Sequence, residues 1–168
     1  MSQTNTSYPQ LLTKEVRAEI DHWVAKYPPE QKQSAVIPSL NIVQEAHEGW
    51  LTEDMMDAVA EYLEMPKVSV YEVATFYSML QTKQVGRHKI SLCKNISCML
   101  RGADKILAHM EKRLGIKIGE TTADGRITLI PEEECLAACV GGPMMAVDGH
   151  YHENLTLAKV DAILDGLE

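Results

Sequence analysis

Four cysteines stand in two tight pairs, Cys93 and Cys98 in CKNISC and Cys135 and Cys139 in CLAAC. They are the only cysteines of the 168-residue chain, and 36 residues separate the C-x4-C pair from the C-x3-C pair. Thiolates are soft ligands. Two pairs converging from separate loops make a four-sulfur set suited to zinc or to an iron–sulfur cluster. Zinc knuckles commonly use C-x2-C, so both spacings here are wide for zinc, although spacings up to four occur. A 2Fe–2S cluster takes four cysteines, two per iron, and C-x4-C is half of the plant-type ferredoxin pattern. The other half of that pattern is missing. A dithiol oxidoreductase would want C-x-x-C, which is absent.

The neighbours favour the cluster. Ala137, Ala138, Gly141 and Gly142 are small enough to let backbone amides approach sulfur, and Met99, Leu136 and Val140 are placed to exclude water. Glu132, Glu133 and Glu134 come directly before the second pair. One carboxylate ~10 Å from such a centre, at an effective dielectric of ~20, opposes added negative charge by roughly 1.7 kcal/mol before salt screening. The run is therefore expected to lower the potential of a redox centre, unless it is simply a solvated face. The histidines, at 22, 47, 88, 109, 150 and 152, read as structural or surface residues. The Gly-Gly-Pro at 141–143 is not a dinucleotide fingerprint, and there is no P-loop. No nucleophile has an evident base, so no catalytic residue is expected on this chain.

The elements that must position these thiols fall into two halves. In TKEVRAEIDHWVAKY, Val16, Ile20, Trp23, Val24 and Tyr27 share one helical face, and Pro28 and Pro29 end it. SAVIPSLNIVQEAHEG is helical in period, with a kink or a restart expected at Pro38 and a stop at Gly49. Thr52 is placed to cap TEDMMDAVAEYL. In VSVYEVATFYSML, Ser69 and Glu72 form a capping box and Val68 with Val73 a hydrophobic staple, predicting a helix over 70–79. Its ATFYSML stretch, with the only Phe, reads as helix core. QTKQVGR, 81–87, is the expected hinge.

The second half changes rhythm. HKISLC reads as a strand leading into the CKNISC loop, and GADKILAHMEKRLG as a helix closed by Gly115. RITLI and PMMAV are further strands, with a short helical turn through CLAAC between them. Asp148-Gly149 is a hairpin turn leading into HYHE, and a last helix is capped at Thr156. The expected fold is α+β: a helical bundle over 1–86, then a small α/β domain over 87–168 carrying the thiols.

Composition agrees. The formal charge is −8 and the isoelectric point about 5.2, which argues against nucleic acid as a partner. Residues 1–86 hold 6 Lys and Arg against 12 Asp and Glu, and residues 87–168 hold 10 against 12. The N-terminal MSQTNTSYPQ lacks the basic and apolar regions of a signal peptide. No apolar run has the length of a membrane span. A cytoplasmic chain with reduced thiols is expected.

VATFYSML, GRHKISLCKNISC and CLAACVGGPMMAV together resemble the thioredoxin-like 2Fe–2S subunit of NADH:quinone oxidoreductase, the 24-kilodalton type of respiratory complex I. The resemblance runs from about residue 13 to the C-terminus. It implies a thioredoxin-like domain over 87–168 holding one 2Fe–2S cluster, with Cys93 and Cys98 on one iron and Cys135 and Cys139 on the other. It implies a strand opening at Pro143, where such folds tend to carry a cis-proline. It further implies a flavoprotein partner that holds FMN and binds NADH, within the peripheral arm on the inner side of the membrane. The helical leader then serves partner docking, through its acidic face (Glu61, Glu64) and with Trp23 or Trp50 as anchors. The other reading for both tryptophans is core. One rival is the equivalent subunit of an NAD-linked hydrogenase or formate dehydrogenase. Another, of a different class, is a zinc-stabilised adaptor.

Overall fold

A computed structural model describes residues 11–131 and 135–168. The chain divides into two compact units, Met1–Gln84 and Val85–Glu168.

The first unit is helical. Helix α1 (Lys14–Val24) starts at Thr13, whose hydroxyl accepts the Val16 N–H at 3.3 Å. A 3-10 segment (Pro29–Ala35) then runs straight into α2 (Val36–Ala46). Pro38 does not kink this helix. It sits in the first turn, where a backbone N–H has no helical acceptor and a proline is tolerated. Helix α3 (Glu53–Tyr62) is capped by Thr52, whose hydroxyl accepts the Met55 N–H at 3.2 Å. Ile20, Leu40, Val43, Val59, Leu63 and Val70 form the unit's core. Burying each such side chain contributes about 1.5–3 kcal/mol.

Helix α4 covers Lys67–Phe76 rather than 70–79. Pro66 precedes it, and its ring-fixed φ of −59° sets the entry without any side-chain cap. The Ser69–Glu72 box is therefore not used: Ser69 lies inside the helix, and Val68 is exposed instead of stapled. Tyr77 turns extended and ends the helix early. Phe76, expected in the core, is 77% exposed, with Tyr77 packed edge-on at 5.0 Å between ring centroids. The segment after α4 is secured by the buried Gln44. Its amide donates to Met79 O at 3.1 Å and accepts the Gln81 N–H at 2.6 Å.

The second unit is built on a four-stranded mixed sheet. Strand β1 (His88–Leu92) leads to α5 (Ile96–Leu100) and α6 (Ala103–Leu114), then to β2 (Ile127–Ile130). After the second cysteine pair come β3 (Met145–Val147), β4 (His150–His152) and α7 (Leu157–Asp165). The sheet order is β2-β1-β3-β4, with β1 parallel to β2 and the other neighbours antiparallel. Asp148 and Gly149, at φ 49° and 81°, make the tight β3–β4 turn. Both central residues at positive φ are what a type I′ hairpin requires. Gly115 closes α6 at φ 68°, and the Thr156 hydroxyl caps α7 by accepting the Lys159 N–H at 3.2 Å. Ile90, Leu92, Met110, Ile127, Leu129 and Val160 fill the core between the sheet and helices α6 and α7. Among the described residues, no helix is long and apolar enough to cross a membrane.

Gly86 belongs with this second unit. Its N–H donates to the buried Thr128 hydroxyl at 2.6 Å, and a Cβ there would meet Gly125 O at 2.9 Å and Arg126 O at 3.0 Å. Backbone atoms cannot yield as a flexible side chain does. Gly86→Ala is expected to cost about 1–3 kcal/mol, the ordinary penalty for overpacking, read as a lower urea midpoint with an unchanged slope.

Candidate metal centre

The thiols are delivered by two loops at one end of the sheet. Cys93 directly follows β1, and its N–H donates to Met144 O at 3.1 Å, extending the β1–β3 pairing by one residue. The CKNISC segment is not a plain loop. Asn95 accepts the Ile96 N–H through Oδ1 at 2.8 Å and starts α5, which turns Cys98 inward. Cys93 and Cys98 are 2% and 1% exposed, packed with Ala103 and Met144.

The CLAAC stretch does not form the expected helical turn. Ala137 takes a left-handed φ of 59°, and the only helical geometry is a short 3-10 turn over Cys139–Gly141. The curl at Ala137 still brings Cys135 Sγ to 3.8 Å from Cys139 Sγ and lets the Ala137 N–H donate to Cys135 Sγ at 3.4 Å. Both of these thiols are exposed. Glu132, Glu133 and Glu134 lie outside the described residues.

The two pairs meet. The Cys93 thiol interacts with those of Cys98 and Cys135, Cys98 feels the charge of Cys139, and Cys135 Sγ stands 3.8 Å from Cys139 Sγ, so the four thiols form one group. Among the described residues, no three His, Cys, Asp or Glu side chains enclose a single-ion site. Two adjoining pairs offer two thiolates to each metal of a binuclear cluster, and four thiolates also suit one tetrahedral ion.

The surroundings favour thiolate on Cys93. Burial alone would raise its pKa, but N–H donors from Leu136 and Asn95 and the thiols of Cys98 and Cys135 outweigh burial and hold it below the ordinary range. Burial, the Cys93 thiol and the charge on Cys93 push Cys98 up, against a donor from Met144 N–H. For Cys135 the largest influence, the Ala137 N–H, lowers the pKa. The bond to Cys139, burial and the charges of Cys139 and Cys93 nevertheless leave it raised. Only part of this group of thiols ionises easily by itself, as expected where adjacent negative charges repel. A bound cation removes that conflict, because coordination deprotonates thiols outright.

Gly142 shows how close the backbone comes. A Cβ there would sit 3.2 Å from Cys98 Sγ and 3.5 Å from Cys139 O. The peptide between Gly142 and Pro143 is cis. Leu136 is partly buried against the thiols, whereas Met99 is largely exposed and Val140 is 93% exposed, so these two do not shield the site within this chain. Sequence reasoning missed Arg101 and Asn95. Asn95 was visible as a preferred N-cap residue just before ISCML; Arg101 gave no local signal, because its partners lie about forty positions away.

Of the other residues singled out, His88 bonds Asp148 Oδ2 at 2.7 Å, and His109 bonds Asp161 Oδ1 at 2.7 Å. Both pairs hold elements of the second unit together. Trp23 is 37% exposed, with the Lys26 ammonium 3.4 Å from its ring centre. The Trp50 indole N–H is buried without a partner among the described residues.

A profile of the family described as thioredoxin-like [2Fe-2S] ferredoxin matches residues 20–168. One NADH-quinone oxidoreductase subunit, from Rickettsia felis (strain ATCC VR-1525 / URRWXCal2), is 45% identical over 142 residues, which cover 84% of each chain. Its counterpart in the NADH-quinone oxidoreductase of Rhizobium meliloti (strain 1021) is 45% identical over 150 residues, covering 89% of this chain and 87% of the relative. Among solved structures, an NAD+-reducing [NiFe]-hydrogenase in the air-oxidised state superposes with a TM-score of 0.64 at 20% identity. That superposition covers 75% of this chain and 22% of the hydrogenase chain, and the likeness is one of fold.

Burial separates the thiols by reactivity. In the folded, metal-free chain, iodoacetamide is expected to modify Cys135 and Cys139 at least about tenfold faster than Cys93 and Cys98, since access as well as ionisation controls thiol chemistry. Peptide mass spectrometry of a time course reads this. Equal rates at all four would show that the buried pair opens freely.

Proposed function

The chain belongs to the thioredoxin-like [2Fe-2S] ferredoxin family, and on that premise we propose that it is the electron-transfer subunit of an NADH–quinone oxidoreductase. Its two cysteine pairs hold one 2Fe–2S cluster, Cys93 and Cys98 on one iron and Cys135 and Cys139 on the other. The observation that carries this is the meeting of the two thiol pairs, brought together from segments 36 residues apart in sequence. The bound cluster supplies one-electron exchange.

The chain's own residues supply the rest. Cys93 and Cys98 set one end of the centre in the core, and Cys135 and Cys139 bring the other end to the surface. The N–H groups of Leu136, Asn95, Met144 and Ala137 point at sulfur, which stabilises negative charge there. No catalytic residue is assigned. NADH and FMN belong on a flavoprotein partner, and this chain passes electrons to and from it. Relatives at 45% identity favour the quinone-reducing complex over the hydrogenase reading, which rests on fold alone. The helical unit is the docking module in this reading. Its exposed Phe76 is better placed to anchor a partner than the half-buried Trp50.

The purified chain should be red-brown and contain about two iron and two acid-labile sulfide, and it should give an EPR signal on one-electron reduction. Cys93→Ser and Cys139→Ser are each expected to lose most of that iron while far-UV circular dichroism is kept. A colourless wild-type chain with one zinc would sink the reading in favour of the adaptor.

Phe76→Ser is expected to lower affinity for the flavoprotein subunit about tenfold or more, as losing an aromatic anchor does, without changing iron content. Co-purification of the tagged pair measures it. Undiminished recovery would remove this face from the docking surface.

A further inference from the structure

Among the described residues, Arg101 carries a side chain that reaches from the Cys98 segment to the carbonyls that follow Cys139. Its backbone N–H donates to Cys98 O at 3.1 Å and closes α5. Its guanidinium reaches across to the other loop, where Nη1 donates to Val140 O at 2.8 Å and to Gly142 O at 3.2 Å. Those two carbonyls flank Gly141, immediately after Cys139. The N–H of Gly142 in turn donates to Cys139 O at 3.3 Å, and a Cβ on Gly142 would lie 3.6 Å from Arg101 Cδ.

The Cys139 loop has little else to hold it. Cys135, Cys139 and Val140 are exposed, so apolar burial does not fix the exposed thiols. Four successive carbonyls are instead held alternately from two sides. Arg101 takes those of Val140 and Gly142, while Asn154 N–H takes Gly141 O at 2.5 Å and Leu155 N–H takes Pro143 O at 2.9 Å. Only the Arg101 half of this arrangement leads back to the segment bearing Cys98. Among the described residues no salt bridge involves Arg101.

From this we infer that Arg101 is a positioning residue for the cluster. It fixes the separation of the exposed Cys135/Cys139 pair from the buried Cys93/Cys98 pair, and it sets one positive charge against the anionic centre. Both bonds come from one guanidinium nitrogen, Nη1, whose two N–H directions are fixed by the planar group, whereas a lysine ammonium is a freely rotating point charge on a flexible stem. The inference rests on the reading of the four thiols as cluster ligands.

The test uses the full-length chain with its cluster, as Arg101→Gln and Arg101→Lys beside wild type and a Lys105→Gln control that removes a nearby charge. Bleaching of the visible absorption by bathophenanthroline disulfonate gives the rate of iron loss, and EPR of the reduced chain gives the g-values. Arg101→Gln should bleach about tenfold faster, the scale of one lost charge-assisted hydrogen bond, with shifted g-values. Arg101→Lys should fall between it and wild type, and Lys105→Gln should match wild type. Thermal unfolding separates a merely structural role: a lower melting temperature with unchanged bleaching and g-values overturns the inference. So does Arg101→Lys bleaching at the wild-type rate, should Arg101→Gln not fold. A wild-type chain without any cluster would fail the ligand reading itself, and this inference with it. A loaded wild type with an indifferent Arg101→Gln would fail this inference alone.

Discussion

The proposed centre depends on bringing two buried and two exposed thiols together across the boundary between core and solvent. Placing acidic groups side by side raises the cost of ionising each, and burial raises it further. The chain answers with backbone N–H donors aimed at sulfur, which requires the main chain to come very close. That requirement explains the residue types around the thiols. Ala137 adopts a left-handed conformation that a bulkier side chain would resist, and Gly142 lies where a Cβ would press on Cys98 Sγ. The small residues of CLAACVGG are therefore conditions for the sulfurs to meet.

The sheet supplies the rigidity this close approach needs. Cys93 follows directly from the central strand β1, with β2 on one side and β3 on the other, and its N–H continues the ladder to Met144. Met144 is fully buried and its own N–H serves Cys98, so one residue of the chain just before β3 positions both buried thiols. A strand end anchored on both edges moves less than a free loop. The exposed pair has no such support and relies on a left-handed alanine, a short 3-10 turn and hydrogen bonds to carbonyls. The buried half of the site is thus fixed by packing and the exposed half by polar contacts.

How much was legible in the sequence follows from the range of the interactions. The Thr52 and Thr156 caps, the Gly115 stop and the Asp148-Gly149 hairpin depend on neighbours within a few residues, and the structure has them as read. The Ser69–Glu72 box had the right pattern but lost to Pro66, which fixes the helix entry three residues earlier. At Pro38 the sequence left a kink or a restart open, and the structure has the helix starting at Val36, so the proline lies in the first turn and bends nothing. The pairing of four cysteines was visible because soft ligands in two close pairs carry their own chemistry. The Arg101 bridge was not, since its acceptors are ordinary carbonyls made special only by the fold.

The surface around the exposed thiols bears on why such a chain serves as a carrier within a complex. Ile96, Leu100 and Val140 are exposed close in sequence to the ligands, and Lys94, Arg101 and Lys105 stand among them in a chain whose net charge is −8. A centre surrounded by water pays to reorganise that water at each change of charge, and its sulfurs are open to oxidation. Apolar side chains cannot prevent this while they face solvent themselves. Covered by another protein, they exclude water, and the nearby cations act through a lower dielectric and therefore more strongly. On the proposed function, contact with the flavoprotein gives the exposed thiol pair the dry, electrostatically defined setting that the buried pair already has.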